Sequence, residues 1–421
     1  MPRRADRYDL SAPSLAVYLH GTRVGAIGES GADLWFRYDP AIIEAPDARR
    51  WAISVRLPVA PRTYGHDETL AFFDNLLLES DLREAIAKAA KLDESDVAGM
   101  LGRLGGECAG AVSVWPIDVE PPTTAEYRAI PRGDLEALFT QKHGARLTAL
   151  QLEARQAMSG VQHKLSFAWR DHAPWLPLNG APGSVILKRS TGQYDGLALN
   201  EHMCLRLFDA VGLPTAATEV LDGPSGFLKT ERFDRPVDVN GQITRLHQED
   251  FCQATGRLPK RKYQFSGGPG FGDLARVLRR YSASPGRDLE LLVRAALMQI
   301  VVGNMDAHAK NYALLYTHNT AQLAPFYDIV CTEAYEGLDR QLSMNVGHSR
   351  DPERLTFADL QRFAKDMELG VSTVQREIDR LVAEVPLAVG ALWSAAPAHP
   401  VLDVMQRIIS ARLQRLMHCR N

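Results

Sequence analysis

Cysteine is sparse in this chain and shows no pairing pattern: five residues in 421, at positions 108, 204, 252, 331 and 419, with no C-x-x-C spacing. That excludes a disulfide framework and a zinc site of ordinary ligand spacing, and it fits reduced thiols in a cytoplasm. An excess of one charge sign is also missing. The formal net charge is −3, which gives no global attraction to nucleic acid or to an anionic membrane. No apolar run approaches the length of a membrane span, and Met1-Pro-Arg-Arg is not followed by an apolar h-region. The expectation is a soluble, cytoplasmic protein that makes no use of a membrane. Three basic clusters stand out locally, Lys260-Arg261-Lys262, Arg276/Arg279/Arg280 and Arg407/Arg412/Arg415. They read chiefly as solvated faces, with contact to DNA or an acidic partner as the minor reading.

What is present is ordinary globular material, 45% hydrophobic and 24% charged, long enough for two or three domains. Residues 15–30 alternate as a strand pair around a His20-Gly21 turn, and 34–38 and 51–57 read as further strands. Helical patterns follow at 69–79, 82–91 and 97–104, and 109–115 returns to strand. Val119-Glu-Pro-Pro-Thr-Thr is the clearest linker, so an N-terminal module should end near 120. Segments 164–169, 184–188, 218–221 and 226–230 read as strands, with a helix at 197–211 that lines up Leu199, Met203, Leu207 and Val211. After Gly267-Gly-Pro-Gly270 the pattern is mostly helical: 271–281, 288–302, 356–366, 371–383 and 401–417. These elements predict an α+β, bilobal, protein-kinase-like architecture. A β-rich subdomain (1–120) is expected to precede a mixed small lobe (121–255) and an all-helical large lobe (256–421).

Chemistry concentrates at Gly303-Asn304-Met305-Asp306-Ala307-His308-Ala309-Lys310-Asn311, just after the apolar run 291–302, and at Phe326-Tyr327-Asp328. Asp306 and Asn311 are five apart, the Asp-x-x-x-x-Asn spacing of a kinase catalytic loop, and a second aspartate follows a strand-like stretch. Phosphoryl transfer from a nucleotide needs such a trio: one carboxylate to orient the attacking hydroxyl, and an amide oxygen with a second carboxylate for magnesium. His308 would donate to a phosphate or orient the loop, and Lys310 would neutralise transferred charge or face water. Ser159-Gly160-Val161-Gln162-His163-Lys164 opens onto a strand, where backbone N–H groups can approach phosphates; it also reads as a generic turn. Lys188 ends Val185-Ile-Leu, where kinases carry the lysine for the nucleotide phosphates. Glu201, thirteen residues on, would pair with it, or else face solvent. Glu231-Arg232-Phe233 would supply the lobe connection that binds an adenine edge; Asp234 and Arg235 beside it also read as a local ion pair worth little.

Together these blocks resemble the HipA family of bacterial serine/threonine kinases, the toxins of HipBA-type toxin–antitoxin pairs. The likeness rests on Ser159–Lys164, Glu231–Arg235, His247-Gln-Glu-Asp-Phe-Cys-Gln253, Gly267–Gly270, Gly303–Asn311 and Pro325-Phe-Tyr-Asp328. The N-terminal Val17-Tyr-Leu-His-Gly and Gly106-Glu-Cys-Ala-Gly-Ala111 add to it. The resemblance implies ATP and Mg2+ as cofactors, Asp306 as catalytic base, and Asn311 and Asp328 as magnesium ligands. It places Lys188, the 159–164 loop, residues 231–233, His308 and Tyr327 around the nucleotide. It further implies an aminoacyl-tRNA synthetase as protein substrate, with growth arrest or persistence as the outcome. A dimeric helix-turn-helix antitoxin, HipB-like, would neutralise the kinase and carry it to operator DNA, which the chain would reach only through that complex. One departure stands out. The family's usual self-phosphorylated serine, three before the loop glycine, is Ala157 here, so Ser159 is the hydroxyl still available. Two other readings remain open: a small-molecule phosphotransferase, and a pseudokinase that acts as corepressor.

Overall fold

The computed structural model describes residues 12–139, 144–158, 164–189, 194–223, 226–317 and 320–420. The chain forms two compact units. Unit 1 takes Met1–Leu187, Arg232–Pro259 and Leu315–Asn319; unit 2 takes Lys188–Glu231, Lys260–Leu314 and Thr320–Asn421. The chain therefore crosses between units repeatedly, whereas the sequence pattern suggested consecutive blocks divided at 120 and 255.

Unit 1 begins with an antiparallel sheet in the order β4-β3-β2-β1-β5. Its strands are β1 (Leu15–Leu19), β2 (Thr22–Ser30), β3 (Asp33–Tyr38), β4 (Thr63–Tyr64) and β5 (Val112–Pro116). His20 and Gly21 both take positive φ, 51° and 78°, in the two-residue turn between β1 and β2, the geometry that matches strand twist. The sheet's apolar side carries Val17, Val24, Ile27 and Phe36. Phe72 and Phe73 of α2 (His66–Phe73) join the same core, with Ile86 of α3 (Ser80–Ala90) and Met100 and Leu101 of α4 (Val97–Leu104). A four-residue helix, α1 (Pro40–Ile43), follows β3.

The strand expected at 51–57 does not form. A 3-10 turn ends at Trp51, and the next residues fold back on one another through a Ser54–Leu57 bridge. The buried Tyr38 hydroxyl accepts from Ile53 N (2.9 Å) and donates to Leu57 O (2.5 Å), so the segment's backbone is satisfied without a strand partner. Unit 1 continues with β6 (Glu126–Ala129), α5 (Arg132–Phe139), α6 (Gly144–Ala154), β7 (Lys164–Arg170) and β8 (Ala173–Leu178). β8 lies antiparallel to both β6 and β7. Strand β9 (Val185–Arg189) runs out of the unit at Leu187. The chain returns to unit 1 at Arg232 and adds β12 (His247–Asp250) and α8 (Phe251–Thr255).

Charge is buried in unit 1 as a network. The Glu107 carboxylate receives Arg232 Nη1 (2.7 Å), Arg235 Nε (3.0 Å) and Arg245 Nη2 (2.7 Å). The Asp234 carboxylate receives Arg232 (2.9 Å), Arg235 (2.8 Å) and the Gly110 N–H (2.8 Å). Burial alone would raise the Asp234 carboxyl, but Arg232 and Arg235 hold it well below the usual carboxylate range. The pair read from sequence as a weak local contact is thus a fully buried ionic centre, where removing one partner costs about 3–5 kcal/mol.

Glu249, on β12, shows the opposite balance. Ser54 Oγ (2.6 Å), Val55 N (2.9 Å) and Tyr316 Oη all donate to it, yet its carboxyl is pushed up to about 7, because burial outweighs those hydrogen bonds. A carboxyl raised on folding contributes stability that is fully present below about pH 4.5 and is lost as pH rises through about 7. Replacing it by Glu249→Gln should leave stability near wild type at pH 5. At pH 8 the variant should be the more stable, by a margin of order 3 kcal/mol. Urea unfolding of both proteins at the two pH values checks this; a constant difference would contradict it.

Candidate active site

Unit 2 is built around α10 (Pro285–Val301), which is buried on nearly every side. It packs against α9 (Phe271–Tyr281), α12 (Val371–Ala395) and α13 (Pro400–Cys419), with α11 (Phe357–Asp366) against α9 and α12. The helix pattern expected at 371–383 continues to Ala395, through Pro386. Two short strands, β13 (Ala313–Thr317) and β14 (Thr320–Leu323), interrupt the stretch expected to be all helical. The buried Asp288 of α10 accepts from Leu323 N (2.8 Å) and Ser282 Oγ (2.7 Å), which pins the end of β14 to that helix.

The loop that follows α10 carries the first group of candidate side chains. Gly303 sits at φ +70°, and a Cβ there would come within 2.8 Å of Ile408 on α13 and 3.1 Å of Glu333. Asn304 then anchors the turn: its amide donates to Gln299 Oε1 (2.8 Å) and its oxygen accepts from Asp306 N (3.0 Å). Asn311 Nδ2 donates to Asp306 O (3.1 Å). Asp306 is exposed, whereas His308, Lys310 and Asn311 are buried. Tyr263 Oη donates to Asp306 Oδ1 (3.0 Å), and the Tyr263 ring meets the His308 ring edge-on at 5.1 Å.

The second group forms around Lys188, the last turn-in from β9. Its ammonium lies 2.7 Å from Glu201 Oε1 and 2.5 Å from Asp328 Oδ1. Burial works against the charge, but Asp328 and Glu201 together raise the Lys188 pKa above that of a free lysine. Glu201 lies on α7 (Leu197–Ala210), whose Leu199, Met203 and Leu207 are buried. Asp328 takes a left-handed backbone, φ +58°. Its loop is gripped by the residue before Glu201: Asn200 Oδ1 accepts from Cys331 N (2.8 Å) and Asn200 Nδ2 donates to Cys331 O (3.1 Å). The antiparallel strands β10 (Thr218–Leu221) and β11 (Phe227–Glu231) lie against α7.

The two groups are laced together. Tyr327 Oη donates to Lys310 O (2.7 Å), Thr332 Oγ1 accepts from Met305 N (2.9 Å) and donates to Gly303 O (3.2 Å), and Glu333 N donates to Gly303 O (3.1 Å). Behind them Arg412 of α13, 3% exposed, pairs with Glu333 (2.7 Å) and Glu353 (2.7 Å). The basic cluster around Arg412 is therefore not a solvated face throughout: Arg415 also donates inward, to Leu355 O (2.9 Å). Lys262 is buried as well.

Other candidates lie elsewhere. Lys164 begins β7 in unit 1, and Ser159, Gly160, Val161, Gln162 and His163 fall outside the described residues. Glu231 ends β11 in unit 2, while Arg232 and Phe233 belong to unit 1. The Arg232 guanidinium is committed to Glu107 and Asp234, and its N–H donates to Ser184 O (2.9 Å); the Glu231 N–H donates to Ala217 O (2.8 Å). Two of the three N–H groups of the expected adenine-binding connection, those of Glu231 and Arg232, are therefore used within the fold. Sequence reasoning passed over Tyr263, Asn200 and Thr332, and took Arg412 only as one member of a basic cluster. Tyr263 is 43 residues from Asp306 in sequence, and none of the four stands in a motif whose spacing signals chemistry.

Comparison with known proteins now gives this arrangement a context. Residues 15–115 match the HipA N-terminal domain and residues 156–393 the HipA-like C-terminal domain. The Sinorhizobium fredii protein Y4mE is 35% identical, over 89% of this chain and 90% of its own length. The serine/threonine-protein kinase toxin HipA of Shewanella oneidensis is 24% identical, over 76% of each chain. The solved structure of Shewanella oneidensis HipA with HipB and operator DNA superposes with a TM-score of 0.81 at 21% identity, covering 96% of both chains. The chain belongs to the HipA-like kinase family and has that family's α+β kinase-like fold.

Gly303 is a position where the backbone and its neighbours both disfavour a side chain. Gly303→Ala places a side chain in the left-handed region and against Ile408. It should lower unfolding free energy by about 1–3 kcal/mol in a denaturant titration. Wild-type stability in that variant would contradict the packing described.

Proposed function

We propose that this HipA-like chain is an Mg-ATP-dependent serine/threonine protein kinase of the toxin type. The observation that carries the reading is the Lys188 ammonium held between Glu201 and Asp328 in the same unit as Asp306 and Asn311. Lys188 stays protonated, so it acts as a fixed cation for nucleotide phosphates and not as a base. The donor set suits a hard divalent cation: one carboxylate at Asp328 and one amide oxygen at Asn311. Among the described residues no cluster of three or more His, Cys, Asp or Glu side chains is disposed to hold a metal. When bound, Mg2+ would neutralise charge on the nucleotide. Asp306 does the chemistry on the acceptor. Its carboxylate is exposed where a hydroxyl can reach it, and it orients that hydroxyl and takes its proton. His308 and Lys310, both buried in the same loop, serve the transferred phosphate. Tyr327 tethers Asp328 to the loop through Lys310 O.

The pseudokinase alternative requires a damaged catalytic set, and Asp306, Asn311, Asp328 and Lys188 are all present. We further propose a HipB-like helix-turn-helix antitoxin as partner, operator DNA contacted only through it, and an aminoacyl-tRNA synthetase as substrate. The support is family membership and the solved relative, which is a complex of HipA, HipB and operator DNA. Self-phosphorylation is assigned to Ser159, since Ala157 supplies no hydroxyl.

Asp306→Asn tests the central role. The variant should bind ATP normally but lose phosphate transfer by about 10²–10⁴-fold, and with it any inhibition of growth on expression. Full transfer activity would remove Asp306 from the mechanism. The partner is tested separately by operator binding, with and without a HipB-like antitoxin. Affinity should appear only with both proteins and should fall steeply with salt. Tight, sequence-specific binding by the chain alone would overturn that part.

A further inference from the structure

An aromatic shelf adjoins the carboxylate assigned as base. Tyr263, whose hydroxyl touches Asp306, stacks on Phe265 at 5.3 Å with the rings 23° apart. The Arg350 guanidinium lies 4.2 Å from the Phe265 ring centre. Phe265 is 58% exposed, whereas Phe271, Tyr312 and Phe363 of the same unit are buried. The shelf is held in register with the catalytic loop at two points. Gln264 N donates to Ser343 O (3.1 Å), and Ser343 donates to Met305 O through both its N–H (3.1 Å) and its Oγ (2.6 Å). Gln264 Oε1 also accepts from Asn345 N (2.7 Å). An exposed ring held this rigidly, next to a catalytic carboxylate, is not explained by core packing.

We infer that Tyr263, Phe265 and Arg350 form the surface on which a protein segment docks to present its hydroxyl to Asp306. The inference rests on the kinase reading above. An acceptor oxygen within hydrogen-bond reach of Asp306 lies within a few ångströms of the Tyr263 hydroxyl, so the residues flanking it must pass over the shelf. The exposed edge of Phe265 fits a large apolar side chain next to the hydroxyl-bearing residue. Charge says what lies further out. Lys260 and Arg261 are exposed just before the shelf and Arg350 borders it, while the acidic group recorded against Arg350, Asp339, stands 3.8 Å away and is mostly exposed. The fitting occupant is therefore a serine or threonine segment with an adjacent aromatic or large aliphatic residue and a carboxylate beyond it. Tyr263 has a second, positioning role, because its hydroxyl fixes the rotamer of Asp306.

The test is an arrayed serine-peptide library, one flanking position varied at a time, phosphorylated by the full chain with radiolabelled Mg-ATP. The wild type should select a large apolar residue beside the serine. Phe265→Ala should abolish that selection and raise KM for the preferred peptide about tenfold, while KM for ATP does not follow; Phe265→Trp should restore it. Tyr263→Phe, which keeps the ring, should lower kcat and leave peptide preference intact. Unchanged preference and peptide KM in Phe265→Ala would overturn the docking surface. So would a wild type that phosphorylates peptides without positional preference, and in that case the kinase reading stands. A wild type that turns over no ATP would instead overturn the kinase reading, and the docking surface with it.

Discussion

A buried ammonium with two carboxylates is the constraint around which the functional unit is arranged. Moving a lysine charge out of water costs several kcal/mol, and only close anionic partners offset it. At Lys188 those partners come from far apart in the chain: Glu201 on α7 and Asp328 in the loop beyond β14. To satisfy one charge, β9, α7 and that loop must converge. The convergence accounts for neighbouring features. Asn200 clamps Cys331 on both backbone groups, and Asp328 accepts a left-handed backbone that would be unfavourable without such anchoring. Without Lys188 the two carboxylates would face each other, so this one contact also holds β9, α7 and the Asp328 loop together.

Unit 1 meets the same problem with a different stoichiometry. Glu107 and Asp234 share Arg232 and Arg235, Glu107 also takes Arg245, and both carboxyls stay ionised because guanidinium groups outweigh burial. Glu249, which has hydrogen bonds but no ion pair among the described residues, is pushed the other way, to about 7. The contrast separates two effects: hydrogen-bond donors alone do not keep a buried carboxylate charged here, whereas paired arginines do.

Much of the fold was legible because it is periodic. Strands β1–β3 around His20-Gly21, helix α4 and helices α9 to α13 follow from alternation or from the 3.6-residue spacing of apolar positions. Segment 51–57 was misread because its apolar residues alternate like a strand while its backbone is satisfied by Tyr38 and Glu249, distant in sequence. The candidate site was readable from spacing at Asp306, Asn311 and Asp328, and the structure places all three in unit 2. It was opaque where support comes from residues of no distinctive type. Arg412 looked like one member of an exposed basic stripe and is a buried partner of Glu333. Asp234 and Arg235 looked like a surface pair and are core. In both cases burial decides the energetics, and burial depends on tertiary packing that a local pattern does not contain.

The claim that Asp328 and Lys188 together form a metal-nucleotide site has one direct measurement. ATP is titrated calorimetrically into the intact chain with and without Mg2+, for the wild type and for Asp328→Asn. If Asp328 holds the cation, Mg2+ should tighten ATP binding to the wild type by about tenfold or more and have little effect on the variant. Equal enhancement by Mg2+ in both proteins would place the metal elsewhere and contradict the account.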